Sequence, residues 1–465
     1  MLKRRREKAF AALIALSAVV GLAACSGSGP SGSAPSGSGK SLVLSHSAHG
    51  TLTVWITSNS TYGPAIKAQA AAFEKIYPHI KINIEATATA GNDPGTLSAA
   101  AAGKLPDIMR AADVDTYYFA SHGLLLDLTP YMKAYGYKES QFVQGIMKLG
   151  QYDGKQYVIP REDDEAVVAY NPQVLKKFGL PDPKEGMTWA TFEKDACATN
   201  KTLNGVQYYG VGNNLGASGG AGPEGSYILY DPFMESTGGG PMNASQTQAT
   251  FDSAASLKGL TELANFSRNC TSWMDNLPKG TDPFTTGKAA FDIVVLPQVE
   301  GWTNTAGTAW SGVKFPVNVV NFPLLSPHPK VGAGMVGFAA TSQSKDPKAA
   351  AAFEIFLLSQ QGELVGSKIG GTVPVMLSLK SSAPWGKAFA FTSAKDGYSF
   401  NSAAFDSYPA DVSTPPAKLQ LGAAGTPPTA VASAWTAIQL KKQTVAQAFA
   451  AANKQINNWL ATQGS

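Results

Sequence analysis

Two periods of apolar and polar positions run through most of the chain. Thr51-Leu-Thr-Val-Trp-Ile56 is rich in β-formers and is followed by a loop. Pro64 stands where a first helical turn would begin, and Ile66, Ala70, Phe73 and Tyr77 then recur at helical spacing up to Pro78. Ile80-Lys-Ile-Asn-Ile84 alternates like a half-buried strand. A Gly/Asn/Asp loop at Gly91–Gly95, an Ala-rich helix and a strand in Pro106-Asp-Ile-Met109 come next. Strand–helix–strand–helix order predicts an α/β lobe with a mainly parallel sheet. In such sheets ligands sit at the carboxyl ends of strands. The loops after Trp55, at Asn92–Asp93 and at Asp113–Asp115 are therefore the first places for a site.

A second lobe is expected to start near Gln156–Pro160. Ala166-Val-Val-Ala-Tyr170 reads as a strand ended by Asn171-Pro172, with a helix beginning over Val174–Phe178. Gly/Pro-rich loops fill 212–243 and 301–312, while Pro347–Leu358 and Val445–Leu460 carry helical patterns. The roughly 425 residues after position 40 exceed what one core usually serves, so two lobes are expected.

The first forty residues follow a different logic. Lys3, Arg4, Arg5, Arg6 and Lys8 precede an apolar run, Ala9–Ala24, that is short of the roughly twenty residues needed to span a bilayer. A basic start, a short apolar run and small residues predict an export signal over residues 1–24. Leu22-Ala23-Ala24-Cys25 resembles the lipobox of bacterial lipoproteins, which implies that Cys25 carries lipid and becomes the first mature residue. Residues 25–40 then form a lipidated cysteine and a Ser/Gly/Pro tether with no apolar face to bury.

Removing the signal changes the charge balance. Five basic residues and one acid leave with it, so the remaining chain has 32 of each and the overall +4 belongs to the signal. No basic stripe points to nucleic acid. Cys197 and Cys270 are the other two cysteines, either bonded to each other in an oxidising compartment or buried as thiols. No Cys/His cluster has metal spacing, so neither a metal nor a cofactor is expected.

Nine stretches, read in order, resemble the family 1 extracellular solute-binding proteins of bacterial ABC importers, the group that includes maltose-binding protein. They are Leu52-Thr-Val-Trp55, Phe73-Glu-Lys-Ile-Tyr-Pro78, Ala102-Gly-Lys-Leu-Pro-Asp-Ile108, Gly123-Leu-Leu-Leu-Asp-Leu-Thr-Pro130 and Tyr152-Asp-Gly-Lys-Gln-Tyr-Val-Ile-Pro160. The others are Ala169-Tyr-Asn-Pro172, Gly186-Met-Thr-Trp-Ala-Thr-Phe192, Thr286-Gly-Lys-Ala-Ala-Phe291 and Ser344-Lys-Asp-Pro-Lys-Ala-Ala350. The resemblance implies a two-lobed periplasmic-binding-protein fold with a ligand cleft between lobes and a multi-strand hinge. It places 41–160 plus about 336–375 in the N-terminal lobe, and 161–335 plus about 376–465 in the C-terminal lobe. It also implies a receptor that is not an enzyme. Such a receptor is a monomer anchored to the outer face of the cytoplasmic membrane by lipid alone, and it passes a small solute to ABC permease subunits.

A sugar site needs aromatic platforms and groups that make paired hydrogen bonds to hydroxyls. Trp55 ends the first strand, with Asn59 and Tyr62 in its loop; its competing role is core packing. Asp93 lies in a strand–helix loop, where it could equally cap the helix. Asp113 and Asp115 follow a strand end, and either could be solvated. Arg161-Glu-Asp-Asp-Glu165 is the densest polar cluster. Most of such a run is ordinarily solvated surface, with Arg161 and Glu162 the members expected to face the cleft. Tyr227 follows a glycine-rich loop. By resemblance, Trp302 is the leading stacking platform, and Gly334 and Met335 are floor contacts. Gly332, Gly334 and Gly337 spell G-x-G-x-x-G, but the strand–turn–helix context of a nucleotide loop is missing. They are read as backbone geometry at a hinge, open to a ligand.

Two rivals remain. A secreted glycoside hydrolase needs two carboxyl groups facing each other across a bond. Glu162 and Asp163 are adjacent and point apart if extended, which makes them a poor pair, while other pairings, such as Asp113 with Glu224, stay open. A receptor of the same fold for a polyamine or peptide needs converging carboxylates and aromatics.

Overall fold

The computed structural model describes residues 41–57, 63–87, 94–212, 223–273, 277, 281–295, 313, 315, 317–327, 330–370, 372–380, 412–413, 419 and 426–463. Cys25, the tether, Asn59, Tyr62, Asp93 and Trp302 lie outside the described residues.

Ile66, Ala70 and Phe73 share one face of the helix Gly63–Ile76 and are buried, as their spacing predicts. The face meets Pro347–Leu357, a helix that begins with Pro347 in its first turn while the Asp346 carboxylate accepts the Ala349 N–H at 3.0 Å. Phe73 joins the two, edge-on to Phe353 at 5.2 Å and to Phe356 at 5.6 Å between ring centres. Both helices cover a five-stranded sheet ordered Ile80–Ala86, Gly50–Ile56, Ile108–Ala112, Val336–Ala340, Ile159–Pro160. Its first three strands are parallel, and Val336–Ala340 runs antiparallel to both neighbours.

A second sheet is ordered Tyr209–Val211, Ala289–Val294, Val167–Tyr170, Asn318–Asn321, and only its first pair is parallel. Asn171 ends Val167–Tyr170 by capping the next helix, accepting the Gln173 N–H at 2.9 Å. The core here is aromatic. Trp189 stands edge-on to Phe233 and Phe266, each at 4.7 Å. A disulfide between Cys197 and Cys270 ties the helix Trp189–Thr199 to Ala254–Cys270. Gly210 threads between them, where a Cβ would lie 2.2 Å from the Cys270 carbonyl oxygen and 2.3 Å from that of Ala196.

Leu42–Ser465 is one compact unit in which the two cores meet along crossing strands. Pro160–Glu165 runs antiparallel to the 332–337 segment, held by Arg161 N–H to the Val336 carbonyl at 2.9 Å and Ala166 N–H to that of Gly332 at 2.9 Å. A third crossing lies beside it: Val373 packs with Val167 and Ala169, whereas Val375, Met376 and Leu379 belong to the first core. The Asp163 N–H bonds the Val373 carbonyl at 3.1 Å. The cores also exchange residues, since Ala112 and Val114 pack in the second cluster while Ala333 and Met335 pack in the first.

This topology overturns one expectation. All five residues of the Arg161–Glu165 run are buried rather than solvated. They form the middle strand of the three crossings, so backbone from both sides covers them.

Candidate functional site

The strand Ile108–Ala112 delivers the helix Asp113–Ser121 to the seam between the lobes. Its two acids divide the work. Asp115 turns back on its own helix and accepts the Ala112 N–H at 2.8 Å, which explains its burial and removes it from solvent. Asp113 faces the other lobe. Its Oδ2 accepts the Tyr227 hydroxyl at 2.6 Å, its Oδ1 accepts the Val114 N–H at 2.9 Å, and its N–H bonds the Met335 carbonyl at 3.0 Å. A Cβ on Gly334 would lie 2.9 Å from the Tyr227 hydroxyl and 3.9 Å from Asp113 Oδ2. Asp113, Tyr227, Gly334 and Met335 are thus brought together from a strand end, a second-lobe helix and a hinge strand.

The other two glycines have a different role from the one expected of them. A Cβ on Gly332 would lie 1.9 Å from the Ile228 carbonyl oxygen, and one on Gly337 would lie 2.1 Å from that of Ile159. Their missing side chains admit protein backbone, not a ligand. Tyr230, from the same helix as Tyr227, packs against Phe251 in the second core.

Arg161 and Glu162 bind each other through two bonds, Nε to Oε1 at 2.9 Å and Nη2 to Oε2. Burial pushes the Glu162 carboxyl up, and the charges of Arg161 and Arg110 pull it back. Arg110 was not legible as a site residue. Its one signal is that it is the only cation in an otherwise apolar strand, Ile-Met-Arg-Ala-Ala. Lys380 was missed as well; its ammonium lies 2.8 Å from Asp163 Oδ2, with both side chains buried. Trp55 is half-buried near the end of its strand, its indole N–H donating to Glu85 Oε2 at 3.1 Å. It is not part of the Asp113 cluster. Among the described residues, no group of three His, Cys, Asp or Glu could hold a metal ion.

Two α/β lobes strung on crossing strands, with hydrogen-bonding side chains from both lobes at the seam, define the two-lobed periplasmic-binding-protein fold. The chain belongs to the bacterial extracellular solute-binding proteins, a family that matches residues 68–393. Solved structures agree on the fold. A cyclic α-maltosyl-1,6-maltose binding protein from Arthrobacter globiformis superposes with a TM-score of 0.70 at 18% identity, over 89% of this chain and all of that one. An ABC substrate-binding protein from Listeria monocytogenes, in complex with cycloalternan, gives 0.69 at 19% identity over 89% and 100%. UgpB from Mycobacterium tuberculosis, in complex with glycerophosphocholine, gives 0.67 at 15% identity over 90% and 99%.

Proposed function

We propose that this chain is the substrate-binding lipoprotein of an ABC importer, capturing a mono- or oligosaccharide by hinge closure and delivering it to the membrane permease. The observation that carries the reading is the Asp113–Tyr227 hydrogen bond, made between lobes beside the strands on which they turn. A solute that contacts both lobes stabilises the closed state over the open one, and closure needs no covalent step. Asp113 offers carboxylate acceptors and Tyr227 a hydroxyl, groups suited to a sugar's hydroxyl rim. Trp55, Asn59, Tyr62, Asp93 and Trp302 complete the proposed contacts, while Arg161 and Glu162, buried against each other in the middle crossing strand, serve the hinge rather than the solute. The sugar class is supported by neighbours of the same fold solved with cycloalternan and built to bind a maltosyl-maltose. In this reading the chain is held at the outer face of the membrane by lipid on Cys25.

The test is thermal unfolding of Leu42–Ser465 with mono- and oligosaccharides, amino acids, polyamines and glycerophosphodiesters. A ligand specific for the folded state adds about 2.7 kcal/mol at a hundred times its dissociation constant, visible as a raised midpoint. A rise with one sugar class, the sugar recovered intact, supports the reading. A cleaved sugar, or a rise only with non-sugars, sinks it.

A further inference from the structure

We infer that Gly332 and Pro232 are paired positioning residues, which set Tyr227 against Asp113 and so bias the lobes toward the closed state that a solute completes. The inference rests on the hinge-closure reading but not on the identity of the solute.

The helix Pro223–Ser236 runs beside the hinge strand Val331–Gly334, antiparallel to it, in a register pinned at three places. Tyr227 stands over Gly334, the Ile228 carbonyl over Gly332, and Glu235 Oε2 lies 3.7 Å from Lys330 Nζ. Pro232 sits inside this helix. It has no N–H to give the carbonyl four residues back, which is that of Ile228. That same carbonyl points at the hinge strand, its oxygen 1.9 Å and its carbon 2.5 Å from where a Cβ of residue 332 would be. The proline frees the carbonyl, and the glycine makes room for it.

Gly332 is not among the glycines with positive φ, so space rather than backbone conformation demands glycine there. Any side chain at 332 must push the Ile228 turn off the strand. Tyr227 is the adjacent residue, and its bond to Asp113 is 2.6 Å long. A shift of about an ångström is enough to break a hydrogen bond of that length. Gly332 therefore acts on the seam through Tyr227 without touching it.

Small-angle scattering of Leu42–Ser465 without solute gives a readout that a merely structural residue would not move. Tyr227→Phe should open the lobes and enlarge the radius of gyration. Gly332→Ala should enlarge it to the same extent, and the double variant no further. Pro232→Ala introduces no clash but returns a helical donor to the Ile228 carbonyl, so it should also open the lobes. It decides the matter if Gly332→Ala does not fold. With maltotriose as the probe, each variant should bind about tenfold more weakly, the size of one lost hydrogen bond. A wild-type radius in Pro232→Ala or in folded Gly332→Ala overturns the inference, as does an additive double variant. If maltotriose does not bind the wild type, the solute is another molecule from the unfolding panel, while the scattering comparison still decides this inference.

Discussion

Lys380 reaches across 217 positions of sequence to place its ammonium 2.8 Å from Asp163 Oδ2, and solvent reaches neither side chain to any extent. The pair fastens the chain just beyond the third crossing to the middle crossing strand. Lys380→Met leaves a buried carboxylate without its cation, which should cost about 3–5 kcal/mol. Removing both charges, as Lys380→Met with Asp163→Leu, should cost less than the single change. Urea unfolding of the three proteins checks the order.

Glu363 gives stability a slope with pH. Burial pushes its carboxyl up to about 8 from the ordinary 4.5, against the opposing pull of the Met376 and Val375 N–H groups and Lys380. The folded state therefore keeps a proton that the unfolded state loses. Its contribution is fully present below 4.5 and is lost as pH rises through about 8. Glu363→Gln should flatten that part of the profile, and melting temperatures between pH 5 and about 9 would show it.

Glu354 lies fully buried in the helix Pro347–Leu357, and neither of its oxygens has a hydrogen-bond partner among the described residues. Burial holds its carboxyl well above the usual range. Glu354→Met keeps the bulk and removes the stranded polar group. We expect a gain of about 1–2 kcal/mol, read as a higher urea midpoint at unchanged m-value.

The Cys197–Cys270 disulfide closes a segment of 73 residues that includes Tyr227. By loop entropy, Cys197→Ala with Cys270→Ala should lose about 4 kcal/mol. Adding reductant should lower the wild-type midpoint and leave that of the variant in place.

Local pattern carried much of the fold. The strand at Thr51–Ile56, the Phe73 helix and the helix from Pro347 depend on neighbours within a turn or on period-two alternation, and these are visible in one dimension. The Arg161–Glu165 run was misread because its burial comes from strands some 170 and 210 positions later in sequence, which no window around it contains. Gly332 was read correctly as backbone geometry but with the wrong neighbour. The carbonyl that needs the space belongs to a helix a hundred residues upstream, Pro223–Ser236, and the proline that frees it lies in the 212–243 stretch expected to be Gly/Pro-rich loop. Asp113 and Tyr227 could each be suspected, but their meeting could not. Arg110 and Lys380 had no pattern at all beyond being charges in apolar surroundings.

The crossings carry a mechanical consequence. The middle strand is bonded on one side to its partner, Arg161 N–H to the Val336 carbonyl, and on the other to the third, Asp163 N–H to the Val373 carbonyl. Strands laced together in this way resist bending independently, which favours rotation of the lobes about the crossings over slide between them. Under the hinge-closure proposal, any group that stiffens or loosens that axle alters capture and release together.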